Sequence, residues 1–209
     1  MPRLGEKVQI QIFKLYSTDY DNEYHLRELA RELDMDHTSV RPHLDSLKEK
    51  GVIREEEKGR NKVFSLNQKS DLLPYYLIQA EADKTSEYLE NNNTIRAFWK
   101  NFRDKVAPKH LRKIETLVLF GSFAKGTKDK ESDVDLFLAA PEDTSQEVFN
   151  SCEKLETITG RDIEIEQTSN LRNLVVHRGP GTFGEIISNH IILLGIEKFI
   201  YAVGGFNGA

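Results

Sequence analysis

The residues whose types and spacing could do chemistry lie in one stretch, GSFAKGTKDKESDVDLFL, Gly121 to Leu138. A short apolar run, Thr116 to Phe120, ends at a Gly121-Ser122 turn, and ten residues then separate Ser122 from Asp133-Val134-Asp135. Glycine lets the backbone come close to a ligand. A helix opening at such a turn points unpaired amides at whatever sits there, an arrangement suited to phosphate. On a strand, residues i and i+2 face the same way, so Asp133 and Asp135 project together. Two carboxylates on one side are costly to keep ionised without a cation. Magnesium with substrate phosphates meets that demand, since it commonly takes one or two carboxylates plus phosphate oxygens. A third carboxylate would complete a two-metal arrangement. Glu164 is the candidate: Asp162 to Glu166 alternates acid with isoleucine, a strand with one apolar and one acidic face. The same three acids are equally the pattern of a solvated face. Lys125, Lys128 and Lys130 lie in the intervening loop, where they could offset phosphate charge or simply be solvated.

The elements that must position these residues follow from periodicity. Residues 114–209 alternate strand and helix, with strands over Thr116–Phe120, Asp133–Ala139 and Asp162–Glu166 and a helix over 144–158. Residues 69–113 read as connecting helices: Leu77, Ile78, Ala82 and Leu89 form one stripe, ended by Asn91-Asn92-Asn93, and Ile95, Phe98, Trp99 and Phe102 form a second before Pro108. Residues 1–68 read as three helices and a hairpin. Val8, Ile12 and Leu15 mark the first helix. Leu26, Leu29, Ala30 and Leu33 mark the second, after a start rich in Asp and Asn (Asp19, Asp21, Asn22). Val40, Leu44 and Leu47 mark the third, stopped at Gly51. Val52–Arg54 and Val63–Leu66 are two short strands, with Gly59 turning the charged loop between them.

Bulk properties exclude little. The chain has 209 residues, 38% of them hydrophobic and 30% charged, with a net charge of -5. That is the composition of a globular protein of one or two domains, without an overall nucleic-acid signal. Locally, residues 37–62 carry seven Lys and Arg against five acids. Cys152 is the single cysteine, so neither an intramolecular disulfide nor a Cys-rich zinc site is available. His177 and His190 have no partner at metal-ligand spacing. The opening MPRLGEKVQI has no apolar stretch of signal-peptide length, and the run Ile191–Ile196 is too short to span a bilayer, so the expectation is a cytoplasmic protein away from membranes.

The Gly121–Leu138 segment resembles the signature of the DNA polymerase beta-type nucleotidyltransferase superfamily: Gly-Ser, a spacer of about ten residues, then Asp-x-Asp. Ala124, Gly126 and Ser132 add a resemblance to its minimal nucleotidyltransferase branch. The resemblance implies that Gly121 and Ser122, with Lys125 and Ser132, hold the nucleoside triphosphate, ATP first among candidates. It further implies that Asp133 and Asp135 bind Mg2+, and that Glu164 stands where the family commonly has an aspartate activating the acceptor hydroxyl. Minimal members often act on a partner protein in toxin–antitoxin pairs, which makes a protein hydroxyl a candidate acceptor. The stretch LRELARELDMDHTSVRPHLDSLKEKGVIREEEKGRNKVFSLN, Leu26 to Asn67, resembles a winged helix-turn-helix domain. That resemblance implies DNA contacts from Thr38, Ser39, Arg41 and His43 on the helix and from Lys58, Arg60 and Lys62 on the wing, in a homodimer matched to paired half-sites. Pro42 sets the expectation that this helix begins near Ser39, because proline is tolerated only in a first turn.

The expected architecture is α/β (α+β), in three parts. These are a winged helix-turn-helix at 1–68, connecting helices at 69–113, and a nucleotidyltransferase fold with a mixed sheet flanked by helices at 114–209. The expected function is a DNA-binding regulator whose second domain moves a nucleoside monophosphate from an NTP to a hydroxyl. Two alternatives remain: a regulator that only senses nucleotide, and an aminoglycoside-type modification of a small molecule.

Overall fold

The computed structural model describes residues 4–171, 181–204 and 206. It divides into two compact units, the first running through Glu81 and the second from Ala82 to Gly205.

In the first unit, α1 (Leu4–Tyr16), α2 (Leu26–Glu32) and α3 (His37–Glu49) accompany a three-stranded antiparallel sheet. Its strands are β1 (Glu23–His25), β2 (Ile53–Lys58) and β3 (Asn61–Leu66), in the order β1-β3-β2. Phe13, Tyr16, Leu44, Leu47 and Phe64 are its fully buried centre. Tyr16 donates its hydroxyl to the Phe64 carbonyl at 2.9 Å, satisfying a phenol that burial would otherwise penalise.

Two sequence expectations are corrected here. The Asp19–Asn22 run does not cap α2. Asp19 and Asn22 bond the Asp21 and Glu23 amides in a turn, and Glu23–His25 then pairs with Val63–Ser65 before α2 begins. Nor does α3 begin near Ser39. Asp36 caps it by accepting the Thr38 amide at 2.8 Å, so His37 opens the helix and Pro42 lies inside it.

In the second unit, α4 (Leu73–Asn91), whose first half belongs to the first unit, leads into α5 (Asn93–Asn101). A π-helical turn (Phe102–Val106) and α6 (Ala107–His110) follow. The sheet has the order β6-β5-β4-β7. Its strands are β4 (Thr116–Leu119), β5 (Val134–Ala139), β6 (Ile163–Thr168) and β7 (Ile191–Leu194), with β5 and β6 parallel and the other pairs antiparallel. The remaining helices are α7 (Gly121–Lys125), α8 (Glu142–Thr159), α9 (Thr182–Ser188) and α10 (Ile196–Gly204). Alternation along β4 and β5 sends Leu117, Leu119, Leu136 and Leu138 into a core with Ile95, Phe98 and Phe102. On the other face Phe137 meets Phe183 of α9 edge-on, and α10 packs on β4 and β7.

The stripe through Leu77 and Leu89 is satisfied within the chain. Leu77 is fully buried in the first unit, and Leu89 packs on the second unit's core. Among the described residues, no helix is long and apolar enough to cross a membrane.

Candidate active site

β4 ends at Leu119 in the middle of the sheet, and the chain leaves it through Phe120 and Gly121, whose φ of +67° lies in the left-handed region. Glycine is required there twice over. A Cβ would sit 1.9 Å from Asp135 Oδ2 and 2.7 Å from Asp135 Cγ, and a side chain at that φ is itself strained. The turn therefore brings the backbone against the carboxylate. The Ser122 amide hydrogen-bonds the Asp135 carboxyl, so one of the amides expected to face phosphate instead orients an acid.

Asp135 projects from β5, and Asp133 stands immediately before that strand on the same side. Parallel pairing registers Asp135 with Glu164 on β6, so these two also share a face. Glu164 is exposed and Asp135 is half-buried. Burial, then the neighbouring charges of Glu164, Asp133 and Glu185, hold the Asp135 carboxyl above the usual carboxylate range. Uncompensated negative charge of this kind is what a divalent cation relieves. Among the described residues no three His, Cys, Asp or Glu side chains form a ready cage for a metal. Asp133 and Asp135 nonetheless fit magnesium, which usually completes its shell with water and substrate phosphates.

Lys125, at the end of α7, is paired with Glu185 of α9 at 2.8 Å. Lys128 lies over the Phe123 ring and donates to Asn92 at 2.6 Å. Ser132 is taken up by the loop itself: its hydroxyl donates to Asp129 and accepts the Asp129 amide, both at 2.9 Å. Arg161 braces this loop by donating to the Lys130 and Ser132 carbonyls. Sequence reasoning missed Glu185 and Arg161. Neither lies in a motif, and α9 carries no period strong enough to place Glu185 against β5. His190 is buried, with its Nδ1 2.9 Å from the Ile187 carbonyl. His177 lies outside the described residues.

The candidate DNA contacts all lie in the first unit. Thr38 and Ser39 are exposed on the first turn of α3, although the Thr38 hydroxyl bonds Asp36. Arg41 is held by Asp45 at 2.9 Å and Glu55 at 3.0 Å, and its guanidinium lies over the Phe64 ring. Lys62 also reaches Glu55, at 3.2 Å, and Lys58 pairs with Glu23. Glu55 thus accepts from Arg41, Lys48 and Lys62, and these contacts lower its carboxyl to about 2. His43 is half-buried, and Arg60 is exposed in the turn between β2 and β3. Between α2, α3 and the β2–β3 hairpin lies a cleft of about 950 Å³ lined by Arg27, Arg31, Arg41, Arg60 and Lys62, with Glu28 as its one acid. Arg27 and Arg31 were not among the sequence candidates.

Residues 104–193 match the family model described as polymerase beta, nucleotidyltransferase. This span contains β4 to β6, the Gly121-Ser122 turn, Asp133, Asp135, Glu164 and Glu185. The chain therefore carries a nucleotidyltransferase domain of the polymerase beta type. A chain from the crystal structure of a toxin-antitoxin with AMP-PNP is similar at 20% identity, over 53% of this chain and 80% of that one, with a TM-score of 0.34. No curated protein matches.

Proposed function

We propose that the chain is a magnesium-dependent nucleotidyltransferase that moves a nucleoside monophosphate from an NTP, ATP first among candidates, to a hydroxyl on a partner protein. The observation that carries this reading is the contact between the Gly121-Ser122 turn and Asp135, which puts the backbone of the turn beside an acidic pair. The Ser122 hydroxyl, the remaining unpaired amides of α7 and Lys125 hold the phosphates. Asp133 and Asp135 hold the cation, which when bound offsets phosphate charge and aligns the pyrophosphate leaving group. Glu164, registered beside Asp135, accepts the proton of the acceptor hydroxyl. The hydroxyl oxygen bonds the α-phosphorus as the α–β bridging bond breaks and pyrophosphate leaves.

The first unit, on this reading, is a winged helix-turn-helix that binds DNA as a homodimer. Its element order, its wing hairpin and its basic cleft support this. The domain limits that go with it are 1–68, 69–113 and 114–209.

A second reading, nucleotide sensing without turnover, is favoured by one observation: Glu164, the candidate base, is exposed on β6. Calorimetry with ATP, GTP, CTP and UTP plus magnesium, followed by transfer of α-phosphate label to protein acceptors, separates the two. Magnesium-dependent binding and labelling, both lost in Asp133→Ala/Asp135→Ala, support transfer. Binding without labelling supports sensing, and transfer that survives the double substitution sinks the catalytic assignment.

A further inference from the structure

One strongly basic surface of the second unit lies outside the Gly121–Leu138 motif. Residues 96–113, from α5 through the π-helical turn and α6 to just past its end, hold Arg96, Lys100, Arg103, Lys105, Lys109, Arg112 and Lys113. The only acid among them is Asp104. The remainder of the chain carries 22 cationic residues against 33 acids, so this segment runs counter to an acidic protein. All seven cations are exposed. Arg103 pairs with Asp104 and Lys113 with Asp143, while Lys100, Lys105, Lys109 and Arg112 have no acidic partner among the described residues.

The placement follows from packing. Ile95, Phe98, Phe102, Val106 and Ala107 are buried against the sheet, so the opposite side of the same helical segment must face outward. Phe98, Phe102 and Val106, spaced four apart, all stay on the buried side, which leaves the cations outside. Ile95, Phe98, Phe102, Val106 and Ala107 are used internally and Leu111 is the one large aliphatic side chain exposed on the segment, so it offers no continuous hydrophobic stripe to a bilayer or an apolar partner. From Arg96 to Arg112 it spans about 25 Å at 1.5 Å per residue. Its upper end lies beside the loop after the phosphate turn, where Lys128 hydrogen-bonds Asn92. It covers the sheet face opposite the one from which Asp133 and Asp135 project, so it is separate from the candidate active site.

We propose that this α5–α6 surface binds the phosphodiester backbone of a nucleic acid. A row of like charges with Asp104 as its one internal acid repels itself unless a polyanion neutralises it. Nucleic acid is the polyanion whose charge repeats densely along a line, one per about 1.7 Å in a duplex. The recognition is of backbone, without base readout, because lysines and arginines on a convex helix face reach phosphates from outside a groove. This inference goes beyond the proposed transfer activity and does not depend on the DNA-binding role of the first unit.

The experiment measures anisotropy of a labelled oligonucleotide, single-stranded and duplex, against salt, using the full chain. Both proteins compared carry Arg27→Gln/Arg60→Gln, which removes two cations of the first unit's cleft. Lys100→Gln/Lys105→Gln/Lys109→Gln/Arg112→Gln should weaken binding at least tenfold and reduce the slope of log K against log salt by roughly 3, about 0.7–0.9 per contact. Magnesium–nucleotide binding by the same variant should match its parent, which also reports that the second unit is folded. Should the fourfold variant fail to fold, Lys105→Gln/Lys109→Gln should show about half the slope change. The Asp133→Ala/Asp135→Ala chain should bind oligonucleotide normally, so failure of the catalytic reading leaves this one standing. Affinity and slope unchanged by the α5–α6 substitutions would overturn the proposal. So would tighter binding of polyglutamate or of phosphatidylserine vesicles than of oligonucleotide.

Discussion

Replacing Gly121 by alanine separates the two demands the structure places on that residue. The first demand is conformational: at φ +67° an L side chain costs about 1–2 kcal/mol. The second is spatial. The new Cβ would fall 1.9, 2.7 and 3.1 Å from Asp135 Oδ2, Cγ and Cβ. Rotating a long side chain could clear its far end, but aspartate is short and its Cβ is also crowded, so the carboxylate must leave its place. Gly126 supplies the control, because it has φ +73° with nothing within 4 Å of an added Cβ. Gly126→Ala should therefore cost about 1 kcal/mol of stability, a fall of about 2–4 °C in Tm for a chain of this length, and leave magnesium–nucleotide affinity intact. Gly121→Ala should show at least that thermal loss and, in addition, weaken binding at least about tenfold, equivalent to ~1.4 kcal/mol. Calorimetric titration and thermal unfolding of the two variants side by side provide the comparison. Equal nucleotide affinities for Gly121→Ala and Gly126→Ala would show that the placement of Asp135 beside the turn is irrelevant to binding, and the site would have to be abandoned.

Other consequences are independent of this one. Glu55 has a carboxyl lowered from about 4.5 to about 2 by Lys48, Arg41 and Lys62, so its contribution is fully present above about pH 4.5 and is lost as pH falls toward 2. Discounted for its partly exposed partners, that contribution is about 1–2 kcal/mol. Urea unfolding of wild type and Glu55→Gln should differ by that amount at neutral pH and converge near pH 2, and a gap independent of pH would refute the linkage. Pro42 leaves the Thr38 carbonyl without its intrahelical amide donor, so Pro42→Ala should raise the urea midpoint by an amount equivalent to about 1–3 kcal/mol. A lower midpoint would show that the proline is accommodated without cost. Burial pushes the Cys152 thiol up to about 12, so a thiol reagent should modify it only on the timescale of unfolding. Rapid modification of native protein would contradict the packing of α8.

The parts of the fold that were legible in the sequence are those where one period dominates over several residues. β5 announces itself because Val134, Leu136 and Leu138 alternate along the face that packs on α5 and α8, and β4, although apolar on both faces, because its run ends at the Gly121-Ser122 turn. The helical stripe Ile95, Phe98, Phe102 does the same. β1 was not legible, since Glu-Tyr-His has no apolar alternation and is a strand only because β3 offers it a partner. β7 was hidden for the opposite reason. Ile191–Leu194 is uniformly apolar because the strand is buried, and such a run carries no period. The basic face of α5 and α6 escaped because charge counts over broad segments average Arg96–Lys113 with its acidic surroundings.

The candidate site shows where local pattern stops and register takes over. Acid–isoleucine alternation over 162–166 fixes only parity: Asp162, Glu164 and Glu166 must share a face. Which of the three stands beside Asp135 depends on how β6 is docked along β5, and the pairs Val134↔Ile163 and Leu136↔Ile165 decide it. A shift by two residues would keep every apolar side chain on its face and yet bring Asp162 or Glu166 to Asp135. Bulk hydrophobicity therefore cannot select Glu164. The choice has to come from the ends of the strands, where the Val134 amide donates to the Asp162 carbonyl and the Ala140 amide to the Thr168 carbonyl, both within 3.0 Å. Two fixed ends permit one register, and with it one third carboxylate. If that carboxylate takes the acceptor's proton, Glu164→Gln should abolish transfer while Asp162→Asn and Glu166→Gln leave it near wild type. Equal losses at all three positions would mean that the strand contributes only a general negative field.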